Sequence, residues 1–300
     1  MQRILDTVYG VDVNPYAVAV SRFRLLLAAL RASGIKRLKD APGFRIYVAV
    51  GDSLLHGRRF DQLDFGDQPR HVRRREGIGH AYRVEDLTEL NRILGQQCHV
   101  VVGNPPYITV KDRALDQAYR NRFTTCHRQY SLVVPFVERF FELAIYGHDA
   151  QPAGYVGMIT ANSFMKREFG KKLIEEFFPR IDLTHVIDPS GAYIPGHGTP
   201  TVILFGRDRP PVGQTVRAVL GIRGEPSTPE DPAQGQVWRS IIDLLDQSGT
   251  QNDFISITDV PRDTFARHPW GIGGGGAAEL KQLIEAGSSA SLGELVESVG

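Results

Sequence analysis

The run Val100-Val101-Val102 leading straight into Gly103-Asn104-Pro105-Pro106-Tyr107 constrains this chain more than any other feature. Three consecutive β-branched residues read as a strand buried on both faces, the pattern of a parallel sheet in an α/β protein. The two prolines cannot continue a central strand, so the chain must turn there. That places the turn at a strand's carboxyl end, where open α/β sheets bind their ligands. Each proline fixes its own φ and lacks an N–H, which makes the turn stiff and leaves its carbonyls outward as acceptors. The Asn104 side-chain oxygen and the Pro105 carbonyl can both accept from one exocyclic NH2, while Tyr107 stacks on the ring that bears it. Two accepted hydrogen bonds pull such a nitrogen toward tetrahedral geometry and concentrate its lone pair. A planar amine held this way is ready for alkylation without a strong base.

The flanking sequence alternates strand and helix. Residues 7–12 read as a short strand ending in Asp12, and Asn14-Pro15 follows as an N-cap with proline at the first helical position. A helix over residues 16–32 stops at Gly34. Residues 45–52 form the next strand, again with an acid, Asp52, at its end. Two consecutive parallel strands thus bring both carboxylates to one edge, and in nucleoside-binding doubly wound folds the first such acid accepts from ribose hydroxyls. A helix-entry turn for Asp12 and a simple loop acid for Asp52 are the competing readings. Residues 56–94 read as an insertion, too long and charged for an ordinary connection, with a helix at residues 84–94. Beyond the Pro-Pro turn come a buried helix at residues 132–146, a strand at 154–160, a helix at 168–178, and strands at 183–187 and 201–205 joined by a turn-rich segment holding Tyr193.

Asn104-Pro105-Pro106-Tyr107 resembles the Asn/Asp-Pro-Pro-Tyr/Phe signature of the amino-group DNA methyltransferases that use S-adenosylmethionine, specifically the adenine-N6 group. Within it, Gly103-Asn104-Pro105-Pro106-Tyr107-Ile108-Thr109-Val110-Lys111-Asp112 and Gly198-Thr199-Pro200-Thr201-Val202-Ile203-Leu204-Phe205-Gly206-Arg207 are similar to the PglX methyltransferases of bacteriophage-exclusion (BREX) systems. The similarity covers nearly the whole chain, as an internal piece of a longer family member. Protein-glutamine N5-methyltransferases and some RNA methyltransferases share the four-residue signature and stay open as alternatives. The resemblance implies a Rossmann-like methyltransferase fold, mostly parallel, with an antiparallel end hairpin made by the last two strands. It implies methyl transfer from S-adenosylmethionine to an adenine flipped out of double-stranded DNA, in phage defence or restriction-modification. The catalytic set would be Asn104, Pro105, Pro106 and Tyr107. Asp12 would bind the cofactor's ribose and Asp52 its adenine amino group, with Asn104 alongside. Tyr193 would stack on the extruded base, although a tyrosine in such a loop also reads as surface filler.

Composition bounds the partners. With 35 basic against 34 acidic residues the net charge is +1, so DNA must be met by local patches, either Arg70 with Arg73, Arg74 and Arg75 or Lys166, Arg167, Lys171 and Lys172. Each run reads equally as a solvated surface. Cys98 and Cys126 lack metal or disulfide spacing, which implies no zinc and a reducing, cytoplasmic setting. No apolar run approaches the ~18 residues of a membrane span, and no basic-then-apolar leader opens the chain.

The domain reading is a catalytic domain over residues 1–208, then a linker and the start of an incomplete target-recognition region over 209–300. A strand at 215–220 and helices at 237–245 and 277–285 lie within the second part, and residues 271–276 read as a flexible joint. The cofactor fold also needs a first strand and a glycine-rich turn. Only eleven residues precede Asp12, so the expectation is a chain truncated at its N-terminus. That leaves two possibilities, an enzyme part or a non-catalytic remnant, and either calls for a complementing N-terminal polypeptide or further BREX or restriction-modification components.

Overall fold

The computed structural model describes residues 1–57, 86–148, 151–196 and 198–271, with positions 284 and 287. After the short helix α1 (Gln2–Leu5) come strand β1 (Tyr9–Asp12) and helix α2 (Pro15–Ala32). The helix starts where the sequence predicts: the Asn14 side chain accepts from Tyr16 N at 2.9 Å and Pro15 occupies the first turn. Strand β2 (Tyr47–Val50) pairs in parallel with β1, Asp12 opposite Val50. Helix α3 (Leu87–Leu94), capped by Asp86, packs Leu90, Ile93 and Leu94 on Ala49 of β2.

Strand β3 (Val100–Gly103) opens a second sheet with helices α4 (Arg113–Arg122) and α5 (Val133–Leu143) after it, then β4 (Tyr155–Ala161), β5 (Asp182–Ile187), β6 (Thr201–Arg207), β7 (Thr215–Gly221), helix α6 (Gln236–Leu244) and β8 (Ile255–Pro261). The strand order is β3-β4-β6-β5-β7-β8. Pairs β3–β4 and β5–β7 are parallel, whereas β4–β6, β5–β6 and β7–β8 are antiparallel. The molecule is therefore an α/β protein with a mixed sheet rather than a mostly parallel one, and the antiparallel β5–β6 hairpin lies where the sequence puts it. Period-two alternation splits the two faces. Val156, Met158, Val202, Leu204, Val216 and Ala218 enter the main core with α5, while Ile203, Val219 and Ile257 meet Val237 and Ile241 of α6 on the other side.

Two further expectations change. The valine strand is not buried on both faces: Val100 is 58% and Val102 73% exposed. Among the described residues it is bonded to β4 alone, and the β1–β2 pair shares no ladder with it. The helix expected at residues 168–178 is broken into a 3-10 turn at Glu168–Gly170, a π turn at Leu173–Phe177 and a 3-10 turn at Phe178–Arg180. Gly170 lies so close to the Phe164 carbonyl that a Cβ would come within 1.8 Å of it, and Pro179 cannot donate an N–H. Past residue 208, β7, β8 and α6 extend the same sheet, and Trp270 is buried in its main core, stacked on Phe178. Most of the 56–94 insertion, Arg70 and Arg73 to Arg75, the glycines after Gly271 and nearly all of the 277–285 helix lie outside the described residues.

Candidate active site

The Asn104 turn is set by what packs beneath it. Gly103 ends β3 against α5, where a Cβ would fall 2.5 Å from the Phe140 ring, so only glycine lets strand and helix come this close. Beyond it Asn104 and Pro106 are exposed and Pro105 is buried. Tyr107 is half-buried against the main core, and that burial pushes its phenol pKa up. The far side of the turn is anchored. The Ile108 carbonyl accepts from Leu132 N at 2.8 Å and from Ser131 Oγ at 3.4 Å, and Thr109 bridges Ser131 antiparallel. A stiff loop thus presents the Asn104 residue to solvent, beside an aromatic ring fixed by packing.

The two acids leave the carboxyl ends of adjacent parallel strands, as their sequence positions imply, but in different states. Asp12 is exposed, with Oδ1 accepting from Asn14 N at 2.7 Å. Asp52 is only 3% exposed. Its Oδ1 accepts from Leu54 N at 2.7 Å and Leu55 N at 3.2 Å, and its Oδ2 from the Tyr119 hydroxyl at 2.5 Å. The turn after Asp52 is clamped from two helices. Arg122 of α4 donates to the carbonyls of Leu55 (3.0 Å) and Gly57 (3.1 Å), and Arg139 of α5 to those of Ser53 (3.0 Å) and His56 (2.9 Å). Sequence reading missed Tyr119, Arg122 and Arg139. The signal was there in α5, an otherwise apolar helix that carries Glu138, Arg139 and Glu142.

Tyr193 lines an apolar cavity of about 380 Å³ with Ile159, Ile194, Pro195, Trp238 and Ile242. Ile159 follows Met158, the partner of Gly103, so the cavity lies beside the Asn104 turn on the α6 side of the sheet. Tyr107 instead packs toward the α5 side. Lys166, Arg167 and Lys171 are exposed just past β4. Cys98 and Cys126 are free thiols, and burial pushes Cys126 up to about 12. Among the described residues no cluster could hold a metal ion, and no helix is long and apolar enough to cross a membrane.

The sequence model of the Eco57I restriction-modification methylase family matches residues 6–193, more than half of the chain. The adenine-specific methyltransferase PglX of Streptomyces coelicolor is 47% identical over 99% of this chain, which spans 25% of that protein. The type II restriction enzyme and methyltransferase RM.Eco57I of Escherichia coli is 27% identical over 55% of the chain, which spans 15% of it. Among solved structures, the methyltransferase subunit of a type I restriction-modification system from Streptococcus thermophilus is 11% identical, with a TM-score of 0.49 over 88% of this chain and 47% of that one.

Proposed function

The chain belongs to the Eco57I restriction-modification methylase family, and on that premise we propose that it is the catalytic part of an S-adenosylmethionine-dependent DNA adenine-N6 methyltransferase serving phage defence of the BREX or restriction-modification kind. The observation that carries this reading is the stiff Asn104-Pro105-Pro106-Tyr107 turn, with Asn104 exposed, at the carboxyl end of β3. Asn104 Oδ1 and the Pro105 carbonyl accept from the adenine amino group, drawing its lone pair out of ring conjugation. Tyr107 stacks on the extruded ring. After transfer the same acceptors hold the cationic nitrogen until a proton passes to water. Tyr193, across the sheet, walls the other side of the base.

The cofactor supplies, when bound, an electrophilic methyl carbon on a sulfonium. Asp12 fits its ribose, because the carboxylate is exposed with one oxygen already oriented by Asn14 N. Asp52 is engaged by three internal donors, so it serves the adenine end chiefly by shaping the turn that Arg122 and Arg139 clamp. The methionine end is assigned to a complementing segment that adds a strand and a glycine-rich turn between β1–β2 and β3. Among the described residues no ladder joins the two sheets, which supports that assignment.

The test is N6-methyladenine in DNA, counted by mass spectrometry after nuclease digestion from cells expressing the complemented protein. The wild type should produce it. Asn104→Ala should cut the rate by ~10²–10³, the usual cost of removing one preorganised electrostatic contact, while cofactor affinity stays within a few-fold. Near-normal turnover by Asn104→Ala would remove the catalytic assignment, and methylated glutamine in place of N6-methyladenine would replace the substrate.

A further inference from the structure

The loop between α4 and α5, residues 123–131, is built with unusual care for a surface connection. Arg128 at its tip takes φ +53°, the one non-glycine positive φ among the described residues. The loop is held from inside on both sides of that tip. On the entry side the Glu138 carboxylate, 5% exposed, accepts from Thr124 N (3.4 Å), Thr125 N (3.2 Å) and Thr125 Oγ1 (2.7 Å). On the exit side Tyr130 is 2% exposed beneath the Arg120 guanidinium. Arg120, fixed by Asp116 at 2.8 Å, donates to the Cys126 carbonyl at 3.5 Å and to the Arg128 carbonyl. A left-handed backbone at a bulky residue costs energy, and it persists where the surroundings over-determine it. What this framework displays is the exposed side chain of Arg128.

The position of the tip gives that display a purpose. Ser131 bridges Thr109, two residues past Tyr107, so the loop and the Asn104 turn are joined by backbone pairing. His127 comes within 4.0 Å of Glu168, which brings the tip beside exposed Lys166 and Arg167, and Lys111 and Arg113 are exposed on the segment that follows Thr109. Against these cations the nearby acids are Glu168, Asp112, whose Oδ1 caps α4, and Asp116, paired with Arg120. In a chain of net charge +1 this is a local basic face.

We propose that Arg128 contacts a DNA phosphate and fixes the duplex beside the Asn104 turn, through a guanidinium carried at the tip of a loop whose backbone is held in place. This rests on the DNA methyltransferase reading. A backbone contact positions the duplex and carries no sequence information, so the effect should be the same on any sequence.

The experiment is fluorescence-anisotropy titration of the full chain with a labelled mixed-sequence DNA duplex across a salt series. Arg128→Gly is the informative variant, because glycine adopts the same positive φ without strain and only the side chain is lost. It should keep the wild-type unfolding midpoint, bind about three- to tenfold more weakly at low salt, and flatten the plot of log affinity against log salt by roughly 0.9. Arg128→Lys should recover most of the affinity. Arg37→Ala, which removes an arginine already paired with Asp40, should change neither affinity nor slope. If the wild type binds duplex and Arg128→Gly matches it in both, the contact is wrong and the methyltransferase reading stands. If the wild type does not bind duplex at all, the contact is wrong, whereas the methyltransferase reading falls only if the complemented protein forms no N6-methyladenine.

Discussion

Tyr107 shows how much of the site depends on single side chains. Its ring leans on the main core, and burial raises its phenol, so the hydroxyl stays neutral at physiological pH and the ring face is what it offers. Tyr107→Phe should therefore keep methylation, whereas Tyr107→Ala should weaken capture of the flipped base by ~1–3 kcal/mol, the worth of one base–aromatic stack. Fluorescence of 2-aminopurine at the mapped target position reports extrusion directly. Equal signals from the wild type and Tyr107→Ala would rule out the stacking role. The residues at strand ends were legible in the sequence, because prolines and acids interrupt apolar runs there and the interruption marks the edge. What the same pattern does not encode is burial. Asp12 and Asp52 look alike as text, and only the packing of Tyr119 over one of them sets it inside. Tyr119 and Arg122 were illegible for the same reason, since their partners, the Asp52 carboxylate and the carbonyls of Leu55 and Gly57, lie 65 to 67 residues away in sequence.

At the scale of elements, types and order were readable wherever the apolar pattern was clear, as in α5, α6 and the β5–β6 hairpin, or a cap was present, as in α2. The failures have local causes. The segment over residues 168–178 has helical spacing, but the contact of Gly170 with the Phe164 carbonyl and the proline at 179 outweigh it. The strand β3 has the apolar run of a buried strand, yet a run states only what a strand can bury, and here Val100 and Val102 face solvent. Between β3 and α5 the fit is close, and Gly103 measures it. Gly103→Ala would drive a methyl to 2.5 Å from the Phe140 ring, so the helix or the turn must give way. The expected cost is about 1–3 kcal/mol, the usual penalty for overpacking, read as a lower urea midpoint together with lower methyl transfer. Adding Phe140→Leu should restore much of both. A single Gly103→Ala variant with unchanged midpoint and turnover would show that this contact does not set the turn.

For the whole molecule, the decisive feature is that its sheet is in two parts. The β1–β2 pair carries Asp12, the six-stranded sheet leads into Asn104, and among the described residues no ladder joins them. The chain spans a quarter of the PglX protein it matches at 47% identity, and a cofactor site whose nucleoside and reactive ends lie on two unjoined sheets is poorly preorganised. The isolated chain should therefore bind S-adenosylmethionine weakly by isothermal titration, even with Asp12 in place. Adding a segment that carries a strand and a glycine-rich turn should tighten binding, because it supplies the amide donors for the methionine carboxylate and joins the two sheets by main-chain hydrogen bonds. In the complemented protein Asp12→Ala should weaken binding again, through lost contacts to the ribose. A dissociation constant already in the low micromolar range for the isolated chain would mean that the two sheets bind cofactor without being joined. If the added segment changes nothing, the methionine end of the site lies elsewhere, and the proposed placement of an added strand between β1–β2 and β3 would have to be abandoned.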